Sequence, residues 1–224
     1  MNDLSHIHFV PELNLASLDI SNMYTNIPTK DLIGIIDTLC RKHNLEDKLI
    51  REILTINRLI IMQNYFSFQD RTYLQGNGMA KGVPTSSILS EIYLQFLENT
   101  QIFDILKEER IEGYFGYMDD ILIIYNENIT DIEHVLSLFN DITLSLNFTL
   151  ERKQENKLNF LDLKIIKTTD KISFDIYRKP TTPDIIIPND SCHRTEQKLA
   201  AIRYFTNRIN TYDLDYTRKQ KQIQ

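Results

Sequence analysis

Only two cysteines, Cys40 and Cys192, occur in the 224 residues. They lie far apart without the spacing of a metal site or a disulfide framework, so they read as free thiols in a reducing compartment. Cys192-His193 has no second pair with which to build a zinc site. No apolar run approaches the length needed to cross a bilayer, and the N-terminus lacks a secretory apolar segment. Positive charge is short as well. Lys and Arg number 25 against 31 Asp and Glu, a net of −6, which is a poor footprint for a nucleic-acid binder. The deficit is uneven: residues 194–224 carry seven cations (Arg194, Lys198, Arg203, Arg208, Arg218, Lys219, Lys221) and three acids (Glu196, Asp213, Asp215), a net of +4 that leaves −10 for the rest. A basic terminal segment beside an acidic body suits phosphate contact, and a solvated helix and tail gives the same balance. Glycine is scarce too, at six, yet three of these stand at 76, 78 and 82. An apolar content of 42% is enough for a core in one domain, or in one domain with a small appendage.

Periodicity sketches the elements. Residues 13–18 read as a strand, and 29–43 and 46–64 as helices, with Ile33, Ile36, Leu39 and Cys40 at helical spacing in the first. Residues 65–68 and 71–74, separated by Gln69-Asp70, predict a short hairpin. The glycine-rich stretch leads into a helix running to about 106. Residues 131–146 form an amphipathic helix. Residues 158–168 and 171–177, around Thr169-Asp170, form a second hairpin. A last helix spans 195–208, and 218–224 read as a frayed polar tail.

The acidic residues carry the chemistry. Tyr117-Met118-Asp119-Asp120 lies between apolar runs and predicts a β-hairpin with two carboxylates at its turn. Asp is common at tight turns for local reasons, so this alone decides nothing. Asp19 supplies a third carboxylate at the end of another strand. Two-metal phosphoryl transfer would give these strand-end carboxylates a shared role, with Mg²⁺ ions about 3.5–4 Å apart activating a 3′-hydroxyl and stabilising the leaving pyrophosphate. Mg²⁺ takes hard oxygen ligands and keeps several waters, so two or three aspartates suffice. The stretch 76–93 could bring backbone close to an anionic ligand at a helix N-terminus; it could equally be an ordinary helix start, with proline near the first position and serine caps.

In order and wording, these blocks resemble the reverse transcriptase palm, and among reverse transcriptases those of Penelope-like retroelements. Residues 19–28, with Asp19 followed by Tyr24-Thr25-Asn26-Ile27-Pro28, are similar to motif A. Residues 76–93 are similar to motif B, and Tyr117-Met118-Asp119-Asp120 to motif C. The stretches 146–151 and 158–162 resemble motifs D to E, while Tyr177-Arg178-Lys179-Pro180-Thr181 and Ser191-Cys192-His193 resemble the start of a thumb. The resemblance implies an α+β palm (residues 1–178) with an antiparallel sheet backed by helices, followed by the start of a thumb and a polar tail (179–224). It implies an RNA-directed DNA polymerase acting with an RNA template, a DNA primer and dNTP in the nucleus, using two Mg²⁺, with Mn²⁺ as a substitute. Asp19, Asp119 and Asp120 would be the catalytic metal ligands. Ile20, Ser21, Asn22, Tyr24, Lys81, Gly82, Ser86 and Tyr117 would line the nucleotide site. Tyr24 would block a ribose 2′-hydroxyl, or else pack as a core tyrosine. Lys153 would be the motif D lysine that protonates pyrophosphate, or an exposed strand-edge charge.

Departures from the family pattern bear on activity. Lys81 stands where relatives carry glutamine or methionine, and would either meet a phosphate or crowd the pocket. Ser87 replaces a usual proline. Eighteen residues precede Asp19, too few for the finger strands that carry basic triphosphate contacts, and no GIY-YIG type endonuclease follows. An isolated palm would hold metals yet grip nucleotide and template poorly. A non-catalytic remnant that binds nucleic acid and an RNA-directed RNA polymerase therefore stand as alternatives.

Overall fold

A computed structural model describes residues 10–169, 171–179, 187–212 and 214–223. Pro180 and Thr181 of the thumb-like motif, Asp170 of the second expected hairpin and Asp213 of the charge count lie outside them. The chain divides into two compact units: residues 18–151, and the described residues of 1–17 together with those of 152–224.

Unit 18–151 is built from the end of β1 (Leu13–Ile20), a four-residue helix α1 (Met23–Asn26), α2 (Thr29–Lys42) and α3 (Asp47–Met62). The hairpin β2 (Tyr65–Phe68) and β3 (Arg71–Leu74) follows, and then α4 (Pro84–Leu97). One π-helical turn (Glu98–Ile102) joins α4 to α5 (Phe103–Glu108), so the single helix expected to about 106 changes its winding at Glu98. Next come β4 (Gly113–Tyr117), β5 (Asp120–Asn126), α6 (Ile132–Asp141) and the start of β6 (Phe148–Arg152). The sheet order is β4-β5-β1-β6, with β4 and β5 antiparallel. In β5 the run from Ile121 to Tyr125 is buried on both faces, as are Leu18 and Ile20, which is why these strands read as continuous apolar runs.

Local features of these elements have physical causes. Helix α6 is capped by Asp131, whose side chain accepts from the Glu133 amide. It stops five residues before the expected 146, where Thr143 and Ser145 hydrogen-bond each other's polar groups and compete with helix. The β2–β3 turn places Gln69 at φ 48 and Asp70 at φ 59, both left-handed as a type I′ turn requires, without glycine. All eight residues of this hairpin are exposed, with Phe66 stacked on Tyr73 at 5.5 Å.

The other unit contains a three-stranded antiparallel sheet, β7 (Lys157–Phe160), β8 (Leu163–Lys167) and β9 (Ile172–Ile176), with α7 (Thr195–Thr211) and α8 (Tyr216–Ile223). The strand expected over 158–168 is therefore two strands. Leu161, at φ 55, opens a two-residue turn with Asp162, and no glycine or asparagine signals it in the sequence. Nor is the polar tail without structure. It forms α8, whose first turn is held by Asp215 accepting from the Arg218 amide at 2.8 Å and the Thr217 hydroxyl at 2.6 Å.

Candidate functional site

Asp19 is the penultimate residue of β1 and is exposed. The strand ends because Asn22 turns left-handed, at φ 51, a conformation that asparagine tolerates. The Asn26 side-chain Nδ2 then donates to the Ser21 carbonyl and ties α1 to the end of the strand. On one side of Asp19, the Ile20 amide donates to the Asp119 carbonyl at 2.9 Å; on the other, the Ser21 amide donates to the Asn147 carbonyl at 2.9 Å and the Thr149 hydroxyl to the Asp19 carbonyl at 3.3 Å. A hundred positions of chain thus close into one hydrogen bond between the two acidic motifs.

Tyr117 pairs with Asp120, so Met118-Asp119 is a two-residue hairpin turn. Met118 takes φ 56, the left-handed value that primed turns need at their first central residue and that methionine adopts at a cost of about 1–3 kcal/mol. Ile20 and Ile121 line one common cavity. Because side chains alternate along a strand, Asp19 and Asp120, each one residue away, are presented to the opposite face of the sheet. Asp119 and Asp120 are half-buried and Tyr117 is exposed. Among the described residues, no three or more His, Cys, Asp or Glu are gathered into a group that could hold a metal ion. Asp19, Asp119 and Asp120 carry hard carboxylate oxygens, and Mg²⁺ commonly uses one or two carboxylates with waters and substrate phosphates.

The glycine-rich loop packs directly against α1. A Cβ on Gly78, which has φ 68, would lie 2.1 Å from the Thr25 carbonyl oxygen, and the Met79 amide donates to the Tyr24 carbonyl at 2.7 Å. Gly78 therefore serves an approach of the protein's own backbone. Gly82, at φ 92, faces open space, and Lys81 beside it is exposed. The serines do not cap α4: Ser86 is buried and donates to the Ala80 carbonyl at 2.7 Å, and Ser90 donates to the Ser86 carbonyl. Pro84 does occupy the first turn. Tyr24 is half-buried, its hydroxyl 3.5 Å from that of Ser87. The amides of Ile20 and Ser21 are taken up by the Asp119 and Asn147 carbonyls.

In the other unit, Lys153 follows β6 and is half-buried. Part of the basic C-terminal segment is spent internally. Arg208 donates to the Asp162 carbonyl at 2.9 Å, lies 3.4 Å from its carboxylate and stacks over Tyr204 at 5.1 Å. Arg218 donates to the Phe174 carbonyl at 2.8 Å, and Lys198 to the Asn189 carbonyl at 2.6 Å. Arg194, Arg203 and Lys221 remain exposed. Sequence reading missed the Asp162–Tyr204–Arg208 cluster, because nothing local signals a contact across 46 positions.

The fold resembles solved telomerases. It matches telomerase from Candida albicans in complex with a fragment of telomeric RNA at a TM-score of 0.61 and 16% identity, over 90% of this chain and 36% of that one. It matches apo telomerase from Candida tropicalis truncated from the C-terminal domain at 0.57 and 14%, over 74% and 36%, and the Candida tropicalis RNA complex at 0.57 and 13%, over 99% and 38%. The chain thus spans little more than a third of those proteins' length, and shares with them the α+β palm fold. No curated protein matches the chain. The family model described as reverse transcriptase (RNA-dependent DNA polymerase) matches residues 12–174, from β1 through β9, and the chain belongs to that family.

Proposed function

We propose that this chain is the palm and start of the thumb of an RNA-directed DNA polymerase of Penelope-like retroelement origin, with the palm over residues 1–178. The reaction is attack of a primer 3′-hydroxyl on the α-phosphate of a dNTP, directed by an RNA template. The observation that carries this reading is the 2.9 Å hydrogen bond from Ile20 to the Asp119 carbonyl, which sets the two acidic motifs side by side. Asp19, Asp119 and Asp120 would hold Mg²⁺, the ions supplying Lewis-acid stabilisation of the attacking and leaving oxygens. Hard carboxylate oxygens on rigid strands fit that ion.

Around them, Asn22, Tyr24, Lys81, Gly82 and Tyr117 offer the accessible surface for nucleotide, while Ile20, Ser21 and Ser86 support it from within the sheet and loop. Tyr24 borders the sugar. Lys81 meets phosphate as a point charge, a reading supported by its exposure beside an open Gly82. The test is template-primed dNTP incorporation with Mg²⁺ by the full chain and by Asp119→Asn. Incorporation by the parent and its loss in the variant support the reading. Equal incorporation by both refutes the metal assignment, and none by the parent refutes polymerase activity of this chain.

A further inference from the structure

On the face of β4 opposite the carboxylates, a cavity is lined by Tyr114, Gly116, Met118, Glu91 and Glu98 among others. Glu98 begins the π-helical turn after α4, a winding found often at functional sites. It accepts a hydrogen bond from the Tyr114 hydroxyl at 2.8 Å. A Cβ added at Gly116 would lie 3.2 Å from the Glu98 Oε1 and 3.6 Å from the Tyr114 hydroxyl, so glycine there makes room for this pair. Phe103 meets the Tyr114 ring edge-on at 6.3 Å and holds it from the other side. Tyr114, Gly116 and Met118 follow one another at strand spacing. The pair therefore bears on the strand that ends in the left-handed Met118.

We propose that Glu98 is a positioning residue for the Met118-Asp119 turn: its carboxylate, tied to Tyr114 and lodged over Gly116, holds the end of β4 at the height that places Asp119. Met118 lines the same cavity as the pair, so a loss of the pair is transmitted to the turn through the cavity wall as well as through the strand. Burial raises the Tyr114 phenol, and Glu98 raises it further, so the hydroxyl remains a proton donor. The consequence for catalysis rests on the polymerase reading; the placement of the turn does not.

The experiment compares the full chain with Glu98→Gln, Glu98→Leu and Tyr114→Phe, after thermal melts confirm folding. It reads the ¹³C-methyl resonance of Met118, assigned with Met118→Leu, together with kcat and KM for dNTP incorporation. Glu98→Gln keeps an acceptor oxygen and is expected to retain the parent resonance and kcat. Glu98→Leu and Tyr114→Phe are expected to shift or broaden the resonance and to lower kcat about 10- to 100-fold, the scale of an ångström-level misplacement, with KM nearly unchanged. An unchanged Met118 resonance in both, or an equal change in Glu98→Gln, overturns the proposal. If the parent incorporates nothing, the polymerase reading falls and the resonance alone decides the positioning.

Discussion

At the scale of single residues, two positions separate backbone geometry from side-chain chemistry. Gly78 and Gly76 belong to one glycine-rich loop, yet a Cβ at 78 would overlap the Thr25 backbone whereas one at 76 meets nothing within 4 Å. Gly78→Ala is expected to cost about 3 kcal/mol, combining left-handed strain with a steric clash; Gly76→Ala should melt like the parent. Denaturant titrations of both check this. For Glu98, desolvation raises the carboxyl pKa, Glu91 adds to the rise, and the Tyr114 hydrogen bond opposes it. A carboxyl whose folded pKa is raised holds more protons in the folded state than in the unfolded state. Stability then falls as pH rises from the ordinary carboxyl range through the raised value. Glu98→Gln should remove that part of the slope and melt higher than the parent at neutral pH, which thermal melts across pH 4 to 8 read directly.

Elements differ in how fully they are supported. Among the described residues, the β2–β3 hairpin is supported chiefly by its own cross-strand ladder and the Phe66–Tyr73 stack, with every residue exposed. Two-stranded hairpins are marginal alone in water. Its amides are expected to exchange with deuterium at least about tenfold faster than those of β5, where residues 121–125 are buried. Equal protection would mean that something covers the hairpin in solution. Helix α7, in contrast, is clasped to the Leu161-Asp162 turn by Arg208. Arg208→Ala should cost about 2 kcal/mol, because a charge-assisted hydrogen bond is lost, while Arg203→Ala, at an exposed position on the same helix, should stay within about 0.5 kcal/mol. Melting of the two variants separates a structural cation from a solvated one.

For the whole molecule, a net charge of −6 limits nucleic-acid affinity. With Arg208, Arg218 and Lys198 engaged internally, few cations of the C-terminal segment remain to contact phosphate. Binding of a primed RNA template is expected to be weak and to fall with salt at a slope corresponding to about three phosphate contacts, the number of exposed basic residues between 194 and 221. A slope near seven contacts would show that the internal clasps open on binding. Salt titration by fluorescence anisotropy measures it.

Much of this protein is determined locally. The order of its motifs, the hairpin that carries Met118-Asp119, the strand ending in Asp19 and the boundaries of α2 follow from apolar periodicity and from residues whose conformational preferences act within a few positions. The β2–β3 strands too were legible from their alternation. Where contacts span long stretches of chain, sequence was silent. The break at Leu161-Asp162 runs against the preference of leucine and is held by Arg208, 46 residues on. The role of Gly78 depends on the Thr25 backbone, and that of Gly116 on a carboxylate eighteen positions earlier. The polar tail looked formless because its cap and its clasp to Phe174 lie outside any periodic pattern. Sequence alone specified which carboxylates could act and on which kinds of element they sit. The resemblance of the motifs implied that the strand of Asp19 and the turn of Asp119 meet; tertiary structure supplied the contact itself, one backbone hydrogen bond from Ile20 to Asp119 that no local preference could form.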